Sequence, residues 1–227
     1  MRVAVLATGG KDSTLALKKA LDEGYEVKYL VSMIPLREDS WMFHYPNIRL
    51  VSLFSEAVEI PLVKTETSGI KEREVEDLKR VIEKLDVDAV VSGAIASNYQ
   101  KTRVEKICQQ LGLKCLLPLW QKNPIEILEE IVNLKFHVII TGVYAYGFNR
   151  EWLGRKIDEE TIEALKKLNR QYGVSVVGEG GEYETLVLDA PFFKKRIKIV
   201  EAEKVWKNQS GYFLIIKAEL ENKRVEH

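Results

Sequence analysis

The chain is poor in cysteine and histidine and carries no surplus of either charge. Cys108 and Cys115 are the only two cysteines in 227 residues, and no CxxC pair occurs. A disulfide framework is therefore excluded. Both cysteines fall on apolar stripes and read as small buried side chains. Lys and Arg number 34, as do Asp and Glu, so no global field recruits nucleic acid or a membrane surface, and no stable nucleic-acid partner is expected. No apolar run approaches the roughly 18–20 residues of a membrane span. The N-terminus reads as a strand and not as a signal peptide, which makes the expected location cytoplasmic. Internal repeats and low-complexity segments are also missing. A homo-oligomer is neither indicated nor excluded.

What is present is a regular alternation of two periods. "RVAVLA" is apolar on both faces, as a central parallel strand must be. A helix follows with Leu17, Ala20 and Leu21 on one side and Gly24 as its stop. "YEVKYLVSMI" is the second strand, and a helix over about residues 47–58 precedes the apolar run "IPLVKT". Val75, Leu78, Ile82 and Leu85 recur at helical spacing before the strand "DAVVSGAI". Val104, Ile107, Cys108 and Leu111 form the next stripe, closed by Gly112. "LKCLLPLW" reads as a strand, Asn123–Pro124 as an N-cap with proline at the first helical position, and "FHVIITGVY" as a sixth strand. Such alternation predicts an α/β, doubly wound, mostly parallel sheet with right-handed crossovers. The pattern then changes. Asp158 caps a helix carrying Ile162, Leu165 and Leu168, "GEGGEYET" follows, and the remainder reads as antiparallel strands turning at "NQSG". This smaller C-terminal α+β part is expected to pack on the sheet.

The junction after the first strand carries the chemistry. In "ATGGKDSTLALKKA", Gly9 and Gly10 let the backbone bend and approach a ligand. Ser13 and Thr14 open a helix whose N-terminus offers unpaired donors and partial positive charge, and Lys11 adds a full charge. This is an anion cradle at the carboxyl end of a strand, best suited to phosphates. Asp12 stands where the Walker pattern needs Ser or Thr, and the GxGxxG pattern is absent. "TGGKDS" instead resembles the SGGxDS loop of the ATP pyrophosphatase superfamily, with Thr8 keeping the hydroxyl of the usual serine. That resemblance implies that Thr8, Gly9, Gly10 and Ser13 hold pyrophosphate, that Lys11 offsets its charge, and that Asp12 helps bind Mg²⁺. It further places adenine near Ser32 and Met33, and Gly93 of "VVSG" among the nucleotide-binding residues.

Three longer stretches narrow the branch. "SWMFHYPNIRLVSLFSEAVEIPLV", "SGAIASNYQKTRVEKICQQLGLKCLLPLW" and "GEGGEYETLVLDAPFF" are similar to the diphthine–ammonia ligases, over nearly the whole chain. The resemblance implies a sheet of the adenine nucleotide alpha hydrolase-like (HUP) type, with a nucleotide-binding domain over residues 1–150 and a substrate-side subdomain over 151–227. It also implies ATP and Mg²⁺ as cofactors, with ammonia and elongation factor 2 as partners. The activity implied is adenylation of the diphthine carboxylate on that factor, followed by ammonia displacing AMP.

The residues themselves fit such a site. Ser97, Gln100 and Arg103 lie near one helix face by i, i+3, i+6 spacing. Arg103 could neutralise the α-phosphate or fork onto the substrate carboxylate; a solvated surface arginine is the plainer alternative. Glu179, Glu182 and Glu184 crowd a glycine-rich turn, where a carboxylate could bind Mg²⁺, orient ammonia or face the substrate's fixed positive charge. Glu182 and Glu184 are counted as catalytic with Lys11, Asp12 and Arg103, and Tyr183 is counted on the substrate side, with loop anchoring as its other reading. Tyr144, Tyr146, Phe148, Trp152 and Trp120 are candidates for an aromatic cage around a quaternary ammonium, with core packing as the competing use. His44 could take a proton from ammonium. Other classes fare worse. A tRNA-thiolating cousin would need a basic domain or paired catalytic cysteines, and a passive ATP-binding sensor would have no use for the acidic turn.

Overall fold

The structure, a computed structural model, describes residues 1–35, 50–67 and 71–223. The chain divides into two compact units. Met1–Thr8, Asp12–Ser55 and Ile60–Gln121 make the first; Gly9–Lys11, Glu56–Glu59 and Lys122–His227 make the second.

The first unit is built on strands β1 (Arg2–Leu6), β2 (Glu26–Pro35), β3 (Leu62–Thr67), β4 (Ala89–Val91) and β5 (Lys114–Leu116). They form one parallel sheet in the order β3-β2-β1-β4-β5. Helices α1 (Lys11–Asp22), α2 (Val51–Val58), α3 (Lys71–Ile82) and α4 (Asn98–Leu111) alternate with the strands. Val3, Ala4 and Val5 are wholly buried, as a central strand with no solvent face requires. Leu78 and Ile82 of α3 and Val104, Ile107 and Cys108 of α4 share one apolar cluster with Ala4, Val31 and Val90 of the sheet. Strand order reverses between β1 and β4, so the carboxyl ends of these two strands flank the fold's ordinary ligand crevice. Local chemistry marks the ends of α4. The Ser97 hydroxyl accepts from the Gln100 amide at 3.3 Å, and Gly112 closes the helix at φ 67°. Strand β5 is shorter than "LKCLLPLW" suggests, because Pro118 supplies no N–H to continue the ladder.

The second unit carries α5 (Pro124–Asn133), β6 (His137–Val143), α6 (Glu159–Tyr172), β7 (Tyr183–Asp189), β8 (Lys195–Lys207) and β9 (Ser210–Asn222). Its sheet is antiparallel, in the order β7-β6-β9-β8. This corrects the reading of "FHVIITGVY": β6 does not extend the parallel sheet but pairs with two strands that follow it in sequence. An apolar strand buried on both faces looks the same in either kind of sheet, and its partners had not yet been met. With β6 and α5 in the second unit, the division falls after Gln121 and not near residue 150. The caps hold as expected. Asn123 Oδ1 accepts from the Ile125 amide at 2.9 Å, and Asp158 Oδ1 from the Thr161 amide at 2.9 Å. Asn208, at φ 57°, turns the β8–β9 hairpin.

Candidate active site

The glycine loop leaves β1 and enters α1 with Gly9 at φ 80°, a conformation that favours glycine. The Thr8 amide donates to Ser13 Oγ at 3.3 Å, and the two hydroxyls lie 3.3 Å apart. Ser13 and Thr14 are buried in the first turn of α1. Gly93, just beyond β4, presses on this turn. A Cβ there would lie 2.7 Å from Asp12 C, 2.8 Å from Asp12 O and 2.9 Å from Ser13 N. The glycine lets the end of β4 meet the backbone of the loop.

Gly9–Lys11 belong with the second unit, and hydrogen bonds show why. The Val187 amide donates to Gly9 O at 2.9 Å, and the Lys11 amide to Thr185 Oγ1 at 3.1 Å. Lys11 Nζ donates to Val177 O at 2.6 Å and lies 5.3 Å from the centre of the Tyr183 ring. With 3% exposure, the Lys11 ammonium is a buried cation seated on a carbonyl and an aromatic face. Gly9–Lys11 is thus stitched along β7, an edge strand that would otherwise leave backbone groups unpaired. Thr185 is a residue the sequence reading passed over. Its signal was alternation: Tyr183 and Thr185 share a face of β7, and both meet Lys11, while Glu184 projects to the other face.

The acidic turn is organised by Glu182. Its Oε1 accepts from the Ser175 amide at 3.0 Å and its Oε2 from the Gly180 amide at 2.8 Å. Both carboxylate oxygens therefore tie down the turn in which they sit. Tyr183 is 3% exposed, its hydroxyl donating to Val176 O at 2.7 Å and its ring packing on Phe148 at 6.0 Å. A side chain at Gly178 would strike this ring. Tyr183 anchors the turn and forms one wall for Lys11. Glu179 is held through its amide, which donates to Ser175 Oγ at 3.3 Å.

Glu184 differs from its neighbours. Burial pushes its carboxyl from the ordinary 4.5 up to about 8, while the Tyr144 hydroxyl, donating to Oε2 at 3.4 Å, pulls the other way. The tyrosine ring takes the space a side chain at Gly142 would need. The folded protein therefore keeps a proton on Glu184 that the unfolded chain releases above its ordinary pKa. The contribution of this group to stability falls as pH climbs from about 4.5 to about 8 and is level above that. Urea melts across that range should show a shallower pH slope for Glu184→Gln than for the parent, with the variant the more stable at pH 8 and above.

In the first unit, the face expected to join Ser97, Gln100 and Arg103 has a more specific arrangement. The Ser97 hydroxyl is used as the helix cap, and Gln100 is exposed. Arg103 lies over the Tyr99 ring, with Cζ 3.6 Å from its centre, and Nη1 is 3.9 Å from Glu74 Oε2 of α3. Lys101 sits 4.6 Å from the centre of the Trp120 ring. Ser32 is 1% exposed, and its hydroxyl has no hydrogen-bond partner among the described residues; Met33 packs against the core cluster. His44 lies outside the described residues. Of the aromatics weighed for a cage, Phe148 and Trp152 are buried against each other, with ring centres 5.0 Å apart. Tyr146 meets Tyr172 edge-on and is 67% exposed. Among the described residues no three His, Cys, Asp or Glu gather as a metal site, and no helix is long and apolar enough to cross a membrane.

Two family models divide the chain between them. Residues 1–115 match the diphthamide synthase N-terminal domain and residues 123–220 the diphthamide synthase C-terminal domain. The diphthine–ammonia ligase of Bos taurus is 36% identical over 228 residues, which span 90% of this chain and 85% of that protein. The chain belongs to the diphthine–ammonia ligase family. The ligase of Homo sapiens matches to the same extent, at 36% identity over 90% of this chain and 85% of its own. That of Schizosaccharomyces pombe is 37% identical over 96% of this chain, which spans 39% of the yeast protein. The two family domains meet between residues 115 and 123, where the structure also divides. Within this family member, hydrogen bonds join Gly9, Lys11, Val177, Thr185 and Val187, with the Tyr183 ring against Lys11, and Arg103 lies between the Tyr99 ring and the Glu74 carboxylate.

Proposed function

We propose that the chain is an ATP-dependent ligase that amidates the diphthine carboxylate of elongation factor 2 with ammonia, the last step of diphthamide synthesis. The observation that carries this reading is the attachment of the glycine loop to the "GEGGEYET" strand through Gly9, Lys11, Thr185 and Val187. A loop that only held nucleotide would not need to be fixed to an acidic turn. Hydroxide is a poor leaving group, so the carboxylate must first be activated. Its oxygen attacks the α-phosphorus of ATP, the bond to the β-phosphate breaks, and pyrophosphate departs. Loop amides and the N-terminus of α1 stabilise that departing charge. Ammonia then adds to the acyl carbon, the C–O bond to AMP breaks with its electron pair, and the added nitrogen gives up one proton.

Asp12, a hard oxygen donor in the first turn of α1, fits Mg²⁺ in the way that ion is commonly held, by one or two carboxylates plus substrate phosphates. Arg103 meets an oxyanion of the reacting centre, and Glu179 faces the substrate, while Glu182 ties down the turn and Glu184 holds a proton. The protein works in the cytoplasm in this reading. Incubation with ATP, Mg²⁺, ammonium and diphthine-bearing elongation factor 2 should yield AMP and pyrophosphate only when both partners are present. Formation of ADP, or no nucleotide turnover, would count against the ligase.

A further inference from the structure

Tyr99 is half exposed, at 50%, and its position has a use. It stands one helical turn before Arg103 on α4, so the two side chains share a face. The guanidinium carbon is 3.6 Å from the ring centre, the separation of a stacked pair. From α3, Glu74 Oε2 stands 3.9 Å from Nη1 and holds the group from another side. The nearby cation Lys101 is directed elsewhere, over Trp120 at 4.6 Å and towards Glu105 at 3.7 Å. A guanidinium lying on an aromatic ring has a fixed plane, and its N–H donors project within that plane. Such a fork matches a planar carboxylate, whereas an ammonium on a flexible stem does not.

We propose that Tyr99 is a positioning residue that fixes the plane of Arg103 so that its fork meets the substrate carboxylate during activation. The proposal rests on the ligase reading and adds to it the residue that orients the arginine. The ring is the part of Tyr99 that meets the guanidinium.

The test is a double-mutant cycle on the full chain, with diphthine-bearing elongation factor 2 as the substrate. Tyr99→Phe should retain parent kinetics. Tyr99→Ala should lower kcat/KM for the protein substrate roughly tenfold, with KM for ATP and the melting temperature unchanged. Arg103→Lys should lose about as much, and the double variant no more than either single one. Parent-level activity of Tyr99→Ala, multiplicative losses in the double variant, or a rise confined to KM for ATP would each overturn the proposal. Parent protein that releases no AMP in response to the diphthine substrate would overturn the ligase reading itself, and the proposal with it.

Discussion

Replacing Gly93 by alanine should abolish most ATP turnover while leaving the protein folded. The added methyl group would sit 2.7–2.9 Å from Asp12 C, Asp12 O and Ser13 N, all backbone atoms that cannot rotate aside. Either the loop or the end of β4 must move by several tenths of an ångström or more. Displacement of that order at a reacting centre costs on the order of a hundredfold in rate, and we expect kcat/KM for ATP to fall by about that factor in Gly93→Ala. Circular dichroism and the cooperativity of unfolding should stay near those of the parent. Gly112→Ala is the matched control. It stands at φ 67° with nothing within 4 Å of a built Cβ, so it should lower stability by about 1 kcal/mol through backbone strain and leave ATP use alone. Parent-like activity in Gly93→Ala would show that the loop does not depend on this contact.

Loss of Glu182 should be nearly as damaging, for a reason the sequence did not reveal. Its carboxylate accepts from the amides of Ser175 and Gly180, at 3.0 and 2.8 Å. Charge-assisted bonds of this kind contribute about 1.5–3 kcal/mol each when buried. The turn is half exposed, so roughly 2–3 kcal/mol for the pair is reasonable. Glu182→Ala should therefore unfold several degrees lower and lose about a hundredfold in turnover, since Tyr183 and Thr185, which hold Lys11, follow directly. Glu182→Gln should not rescue it. A carboxamide offers one acceptor oxygen and would turn its NH₂ towards a second N–H, so one backbone amide is left without a partner. If Glu182→Gln melted like the parent yet was inactive, the carboxylate would be acting on substrate and not on its own turn.

Features fixed by neighbours in sequence were readable from sequence. Asn123 and Asp158 cap their helices because their side chains reach amides only two or three residues away. The succession of the first five strands along the chain followed from the alternation of periods. Beyond that range the reading lost its grip. The partners of β6 lie some 40 to 70 residues further along the chain, and apolar composition carries no mark of strand direction. For some candidate residues the structural duties were not legible. Lys11 and Tyr183 are paired with each other, and Gly93 makes room for backbone. Those duties arise from contacts across 80 residues or more, which no local pattern encodes.

Strand β8 shows how a sheet can end without inviting company. It runs thirteen residues along the outer margin of the antiparallel sheet, long enough to template a strand from another molecule. Yet Lys195, Arg196, Lys198, Glu201, Glu203, Lys204 and Lys207 stud its length, and Arg196 and Lys198 are paired across the ladder with Glu221 and Glu219. An incoming strand would have to dehydrate this row of charges before it gained a single backbone bond. Aggregation through that margin is discouraged by the side chains themselves.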